Sequence, residues 1–176
     1  TYNQLQSAQA AFAKLFRLLD TAPAVSDAED AVPFPDDVSG GVTFEGVVFG
    51  YDPALPVVRD VDLSIAPGER VAILGETGAG KSTLARLALR FYDPTLGTVR
   101  IDEIDLRRIR LASRPEHIVL IPQEGFLFNG TLRDNLRYAK PDTGDDALWA
   151  VCETIGIGDW VRTLPERLDT LVRERG

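Results

Sequence analysis

The stretch that decides the fold reads Val71-Ala72-Ile73-Leu74, then Gly75-Glu76-Thr77-Gly78-Ala79-Gly80-Lys81-Ser82-Thr83. Its second part fits G-x-x-x-x-G-K-[ST], the pattern of a phosphate-binding loop. That pattern carries weight only between a strand and a helix, and both are predicted here. Residues 71–74 form a short apolar run of buried-strand type, and residues 82–91 place Leu84, Leu87 and Ala88 on one helical face. The physics asks for this order. Glycines let the backbone approach phosphates without Cβ clashes. Successive N–H groups then point inward as an anion nest, and the helix N-terminus adds positive potential. Lys81 is placed to bring a point charge to the β- and γ-phosphates, and the Ser82 hydroxyl can ligate Mg²⁺. The loop alone leaves kinases, GTPases, motor ATPases and transporters open.

Upstream of the loop, residues 42–49 predict a strand with an irregularity at Gly46, and residues 57–65 predict a second. Pro67-Gly68 marks a turn before residues 71–74. Downstream, 97–101 and 118–121 predict strands, and Pro122 ends the latter. Residues 132–138, 146–155 and 159–164 then carry helical patterns. Strands come early and helices late, around one strand–loop–helix unit, which predicts an α/β domain with a β-rich beginning.

Before residue 42 the character changes. Residues 3–19 space Leu5, Ala8, Phe12, Leu15, Phe16 and Leu19 as an amphipathic helix face, which also fits a surface helix packed on its own domain. From Asp20 to Gly41 the composition shifts to Ala, Pro, Asp, Ser and Gly, with six acids and no base. This predicts a solvated linker that buries no core.

The whole chain has 176 residues, 44% of them hydrophobic, enough for one domain plus an arm. Its net charge of −8 argues against broad nucleic-acid binding. One cysteine (Cys152) and one histidine (His117) exclude a disulfide framework within the chain and a cysteine- or histidine-rich metal site. No apolar run approaches the roughly 18 residues of a membrane span. Arg107, Arg108, Arg110 and Arg114 read either as a nucleic-acid or lipid patch or as a solvated face offset by Asp102, Glu103, Asp105 and Glu116.

Several further motifs stand in a fixed order: Phe49-Gly50-Tyr51, Pro67-Gly68-Glu69, Arg90-Phe91-Tyr92-Asp93-Pro94-Thr95 with Gly97, Ile121-Pro122-Gln123-Glu124, Gly130-Thr131-Leu132-Arg133-Asp134-Asn135 and Glu174-Arg175-Gly176. Together with the loop, they make residues 42–176 resemble the nucleotide-binding domain of an exporter-type ATP-binding cassette (ABC) transporter. The resemblance implies a partial P-loop NTPase core, an antiparallel β subdomain and the start of a helical subdomain. It divides the chain into a helical extension of the last transmembrane helix (1–21), an acidic linker (22–41) and the ATPase portion (42–176).

The same resemblance implies ATP and Mg²⁺ as ligands. Nucleotide contacts fall on Gly75, Glu76, Thr77, Gly78, Ala79, Gly80, Lys81, Ser82 and Thr83. Tyr51 is implied to stack on adenine through its ring face with the hydroxyl dispensable, whereas without the resemblance it reads as a half-buried strand residue. Gln123, otherwise an ordinary turn residue, is implied to contact Mg²⁺ or the attacking water at the boundary with the membrane domain. Implied partners are the transmembrane domains and a second nucleotide-binding domain, at the cytoplasmic face of a membrane, with no nucleic acid. A non-hydrolysing partner of a heterodimeric exporter is the alternative.

The family's signature motif, Walker B strand, D-loop and switch histidine are expected beyond Gly176, so this chain alone is expected not to turn over ATP. Two residues depart from the family pattern, Glu103 and Arg173, each standing where a glycine is usual.

Overall fold

A computed structural model describes residues 12–17 and 19–173. They form two compact units that divide between Leu120 and Ile121. Residues 12–17 are helical, with Phe12, Leu15 and Phe16 exposed. The rest of the predicted arm helix up to residue 11, and residues 174–176 of the final motif, lie outside the described residues.

The first unit is built on a four-stranded antiparallel sheet in the order β2-β1-β3-β4. The strands are β1 (Val42–Phe49), β2 (Val58–Ile65), β3 (Leu96–Ile101) and β4 (Ile104–Asp105). Phe44 pairs with Leu63 on one side and Val99 on the other. The predicted irregularity is present: the β1–β2 register shifts between Phe44 and Val47, around Gly46. The extra residue of a bulge turns the next side chain to the opposite face, so Phe44, Val47 and Phe49 all enter the core. Strict alternation from Phe44 would have sent Gly46 inward instead.

Helix α1 (Lys81–Ala88) seats Leu87 in that core, with Leu84 and Ala88 packed beside it. The helix stops short of the predicted residue 91, because Arg90 takes a left-handed conformation at φ 51°. Arg90 N–H donates to Leu87 O at 2.9 Å and Phe91 N–H to Arg86 O at 2.9 Å, the paired bonds of a Schellman ending. Glycine usually takes that position. Here an arginine does, and its side chain is 3% exposed. Its guanidinium donates to Leu106 O (3.0 Å), Ile109 O (3.1 Å), Ser26 O (2.9 Å) and the Asp93 carboxylate (2.9 Å).

The acidic stretch over 22–41 is not a solvated linker. Ala31 and Phe34 are buried, and Phe34 belongs to the core of the first unit. Val32 forms a parallel bridge with Ile109. Its N–H donates to Arg108 O at 2.9 Å, and its carbonyl accepts from Arg110 N–H at 2.8 Å. Phe34 N–H donates to Ser113 Oγ at 2.9 Å, and its ring stacks on His117 at 4.6 Å. Composition averaged over the stretch conceals two apolar side chains placed where backbone pairing can bury them. Bases from elsewhere in the chain complete the seat: Arg110 donates to Ala31 O, and Arg90 to Ser26 O.

The arginine cluster is accordingly neither an open patch nor a plain solvated face. Arg107 forks onto Asp105, Arg110 donates to Ala31 O in the strap formed by the 22–41 stretch, and Arg114 donates to Leu89 O and Arg90 O at the end of α1. Arg108 is exposed.

The predicted strands at 71–74 and 118–121 are absent as strands. Leu74 is 90% exposed and Ile121 89%. A buried parallel strand exists only as part of a ladder covered on both faces. Neither run has a hydrogen-bonded strand beside it among the described residues.

The second unit contains a two-stranded ribbon, β5 (Gly130–Thr131) with β6 (Leu171–Val172), and helices α2 (Leu132–Arg137), α3 (Asp145–Thr154) and α4 (Gly158–Thr163). The three helices match their predicted positions within a residue. Thr131 and Asp134 form a reciprocal capping box that starts α2. Leu132, Leu148, Cys152, Val161 and Leu168 make the core, so Cys152 serves as packing.

Phe34→Ala is expected to cost about 3–5 kcal/mol, read as a lower urea midpoint. A free linker would instead show a change within about 0.5 kcal/mol, the level of a surface substitution. Arg90→Met removes the donors to two buried carbonyls, and a loss of about 2–4 kcal/mol is expected in the same titration.

Candidate functional site

The loop of residues 75–80 leads directly into α1. Gly80 is its N-cap at φ 90°, and Gly78 stands at φ 86°, a left-handed backbone that a side chain would strain. Gly80 O accepts from both Thr83 N–H and Leu84 N–H at 3.0 Å, which closes the first helical turn. The N–H groups of Lys81 and Ser82 belong to that turn and have no intrahelical acceptor. They are left for a ligand's oxygens. The Lys81 ammonium folds over the loop and donates to Gly75 O (2.8 Å) and Glu76 O (2.7 Å), leaving one of its three donors over.

Beside the loop lies a concavity of about 270 Å³ lined by Tyr51, Val57, Gly78, Gly80, Lys81, Ser82, Thr83 and Arg86. Gly75, Glu76, Thr77 and Ala79 shape the loop without lining this concavity. Tyr51 stands just beyond β1 and is 49% exposed, so it is not a strand residue. Its ring meets Phe49 and Tyr92 edge-on, each at 5.2 Å. These contacts hold the ring steady at the mouth of the concavity, and a fixed aromatic plane is what a flat base can stack on.

The Tyr51 hydroxyl has two partners within the site. It lies 3.3 Å from Thr83 Oγ1 and accepts from Arg86 Nη1 at 2.8 Å. The Thr83 bond draws the phenol below its ordinary range; partial burial opposes this, and Arg86 adds to it. Thr83 is itself buried. Sequence reasoning reached Thr83 through the motif but passed over Arg86 and Val57. The one signal for Arg86 is its spacing, three residues beyond Thr83 on the same helical face.

Gln123 falls in the second unit, exposed on a bend. Among the described residues no three His, Cys, Asp or Glu side chains cluster as a metal site. Of the hydroxyls lining the concavity, those of Tyr51 and Thr83 meet each other, and that of Ser82 is exposed. A lone hard oxygen fits Mg²⁺, which keeps several waters and takes most other ligands from phosphates. No described helix is long and apolar enough to cross a membrane.

Comparison with known proteins gives the family. The family model for the ABC transporter matches residues 58–172. The chain is 37% identical over 175 residues to human ATP-binding cassette sub-family B member 6, covering 99% of this chain and 21% of that protein. It is 39% identical over 163 residues to the beta-(1-->2)glucan export ATP-binding/permease protein NdvA of Rhodopseudomonas palustris, covering 93% and 27%. A solved structure of a bacterial Atm1-family ABC exporter with ATP bound aligns at a TM-score of 0.89 and 36% identity, over 99% of this chain and 30% of that one. The chain thus spans less than a third of the length of each of these relatives. It belongs to the ABC transporter family, as part of an exporter-type nucleotide-binding domain with the ABC ATPase fold.

Proposed function

We propose that the concavity between Tyr51 and the 75–82 loop binds ATP with Mg²⁺. The longer protein that carries this chain then couples ATP binding and hydrolysis to export across a membrane. One observation carries the reading: Tyr51, remote in sequence, lines the same concavity as Lys81 and Ser82. An aromatic face and a phosphate cradle stand side by side, as a purine nucleotide requires.

The roles follow from chemistry. Backbone N–H groups of Gly75, Glu76, Thr77, Gly78, Gly80, Lys81 and Ser82 are the donors for the phosphates, while Ala79 and Thr83 shape the nest through their own bonds to Glu76 O and Gly80 O. Lys81 exchanges a loop carbonyl for a phosphate oxygen, a charge-assisted and therefore stronger acceptor. Ser82 is the loop residue that would hold Mg²⁺, which would supply neutralisation of phosphate charge. For Gln123, the family resemblance alone supports a role toward Mg²⁺ or the attacking water. Partners of the longer protein are its transmembrane domains and a second nucleotide-binding domain, at the cytoplasmic face of the membrane. Two such domains closing on nucleotide make an interface whose two states ligand can bias.

Isothermal titration of the purified protein with Mg·ATP tests the site. Lys81→Ala is expected to weaken binding about 10- to 100-fold, the equivalent of one charge-assisted contact. It is also expected to abolish phosphate release by the longer protein. Unchanged affinity in Lys81→Ala would place the nucleotide elsewhere.

A further inference from the structure

Arg86 lies one turn beyond Thr83 on α1 and lines the same concavity as Lys81 and Ser82. Its Nη1 donates to the Tyr51 hydroxyl at 2.8 Å, and its guanidinium carbon stands 6.0 Å from the Tyr51 ring centroid. The same hydroxyl is within 3.3 Å of Thr83 Oγ1. A tyrosine that only lent a ring face to a base would need neither contact. Phe49 ends β1 and Tyr92 lies between α1 and β3, so both restrain the ring edge-on from outside the helix. The contacts of Thr83 and Arg86 join Tyr51 directly to α1, the helix whose first turn carries Lys81 and Ser82.

We propose that Arg86 is a positioning residue for base recognition: its bond to Tyr51 fixes the aromatic ring to α1, so that a stacked base and its phosphates are held in one register. The proposal rests on the reading of Tyr51 as the base platform. The gain is preorganisation. A half-exposed ring that is already immobilised loses little freedom when a base stacks on it, whereas a swinging ring would lose more. Arginine suits the task because its long apolar stem can lie along the helix while its planar fork reaches the hydroxyl. The effect acts on the base alone and leaves phosphate binding to the loop.

The test compares two ligands, Mg·ATP and inorganic triphosphate, by titration against the protein that carries this chain. Arg86→Met keeps the stem and removes the fork. It is expected to weaken ATP about three- to tenfold, the range of one hydrogen bond, and to leave triphosphate within about twofold. Tyr51→Phe should give the same pattern. The double variant Arg86→Met with Tyr51→Phe should bind ATP no more weakly than the weaker single variant, because both remove one bond. Arg86→Lys, which keeps a donor, should recover most of the affinity.

Three results overturn the proposal: triphosphate lost as strongly as ATP, losses that multiply in the double variant, or unchanged ATP binding in Arg86→Met. Tyr51→Ala separates the two levels. Weakened ATP in Tyr51→Ala beside unchanged ATP in Arg86→Met removes only the positioning role. Unchanged ATP in Tyr51→Ala removes the base platform and the positioning role together.

Discussion

The buried guanidinium of Arg90 is the constraint on which the first unit depends. It sits where a helix ending would ordinarily place glycine, in a left-handed conformation that costs an arginine roughly 1–3 kcal/mol. The side chain offsets that strain by satisfying the carbonyls of Leu106 and Ile109, which have no access to water. It also reaches Ser26, so one cation gathers the end of α1, the turn after β4 and the strap that precedes β1. Arg114 lies alongside and donates to the last carbonyls of the same helix. Two like charges at one helix end are tolerable because that end carries the negative pole of the helix dipole.

The consequences run to the site. The turn that brings Arg90 inward also directs Tyr92, two residues later, against Phe49 at 5.3 Å and Tyr51 at 5.2 Å. The ring of Tyr51 is therefore braced from the segment that follows α1, while its hydroxyl meets α1 itself, at Thr83 in the first turn and Arg86 in the last. Leu87, fully buried between those ends, keeps the helix on the sheet. A single helix thus carries the phosphate loop at one end and the support of the aromatic ring at the other. Movement of that helix would displace both halves of the site together.

The second unit relies on a different economy of charge. Arg133 bridges Asp145 and Asp169, and Arg137 donates to Asp145 and to Thr143 O. These pairs join α2 to the start of α3 and to the turn before β6 around a small core. The pairs are largely solvent-exposed, so each adds little by itself. The capping box of Thr131 and Asp134 and the burial of Leu148, Cys152 and Val161 contribute more directly.

What the sequence by itself determined is what depends on neighbours along the chain. Alternation and helical periodicity located β1, β2, β3, α1, α2, α3 and α4, and the glycine spacing with Lys81 and Ser82 located the phosphate loop. The irregularity at Gly46 was legible too, because a glycine inside a strand pattern has few other uses. Tertiary structure alone decided the rest. Residues 71–74 and 118–121 have strand composition, but a strand is a relation between two segments, and the described residues supply no neighbour for either. The acidic stretch before residue 42 has linker composition, yet Phe34 is buried because Val32 pairs with Ile109, 77 positions away in the numbering. Arg86 belongs to no motif in the sequence. Its contact with Tyr51 spans 35 positions and exists only because β1 and α1 pack on the same core. Local pattern can name a residue's element and face; which distant atom that face meets is set by the packing of the whole unit.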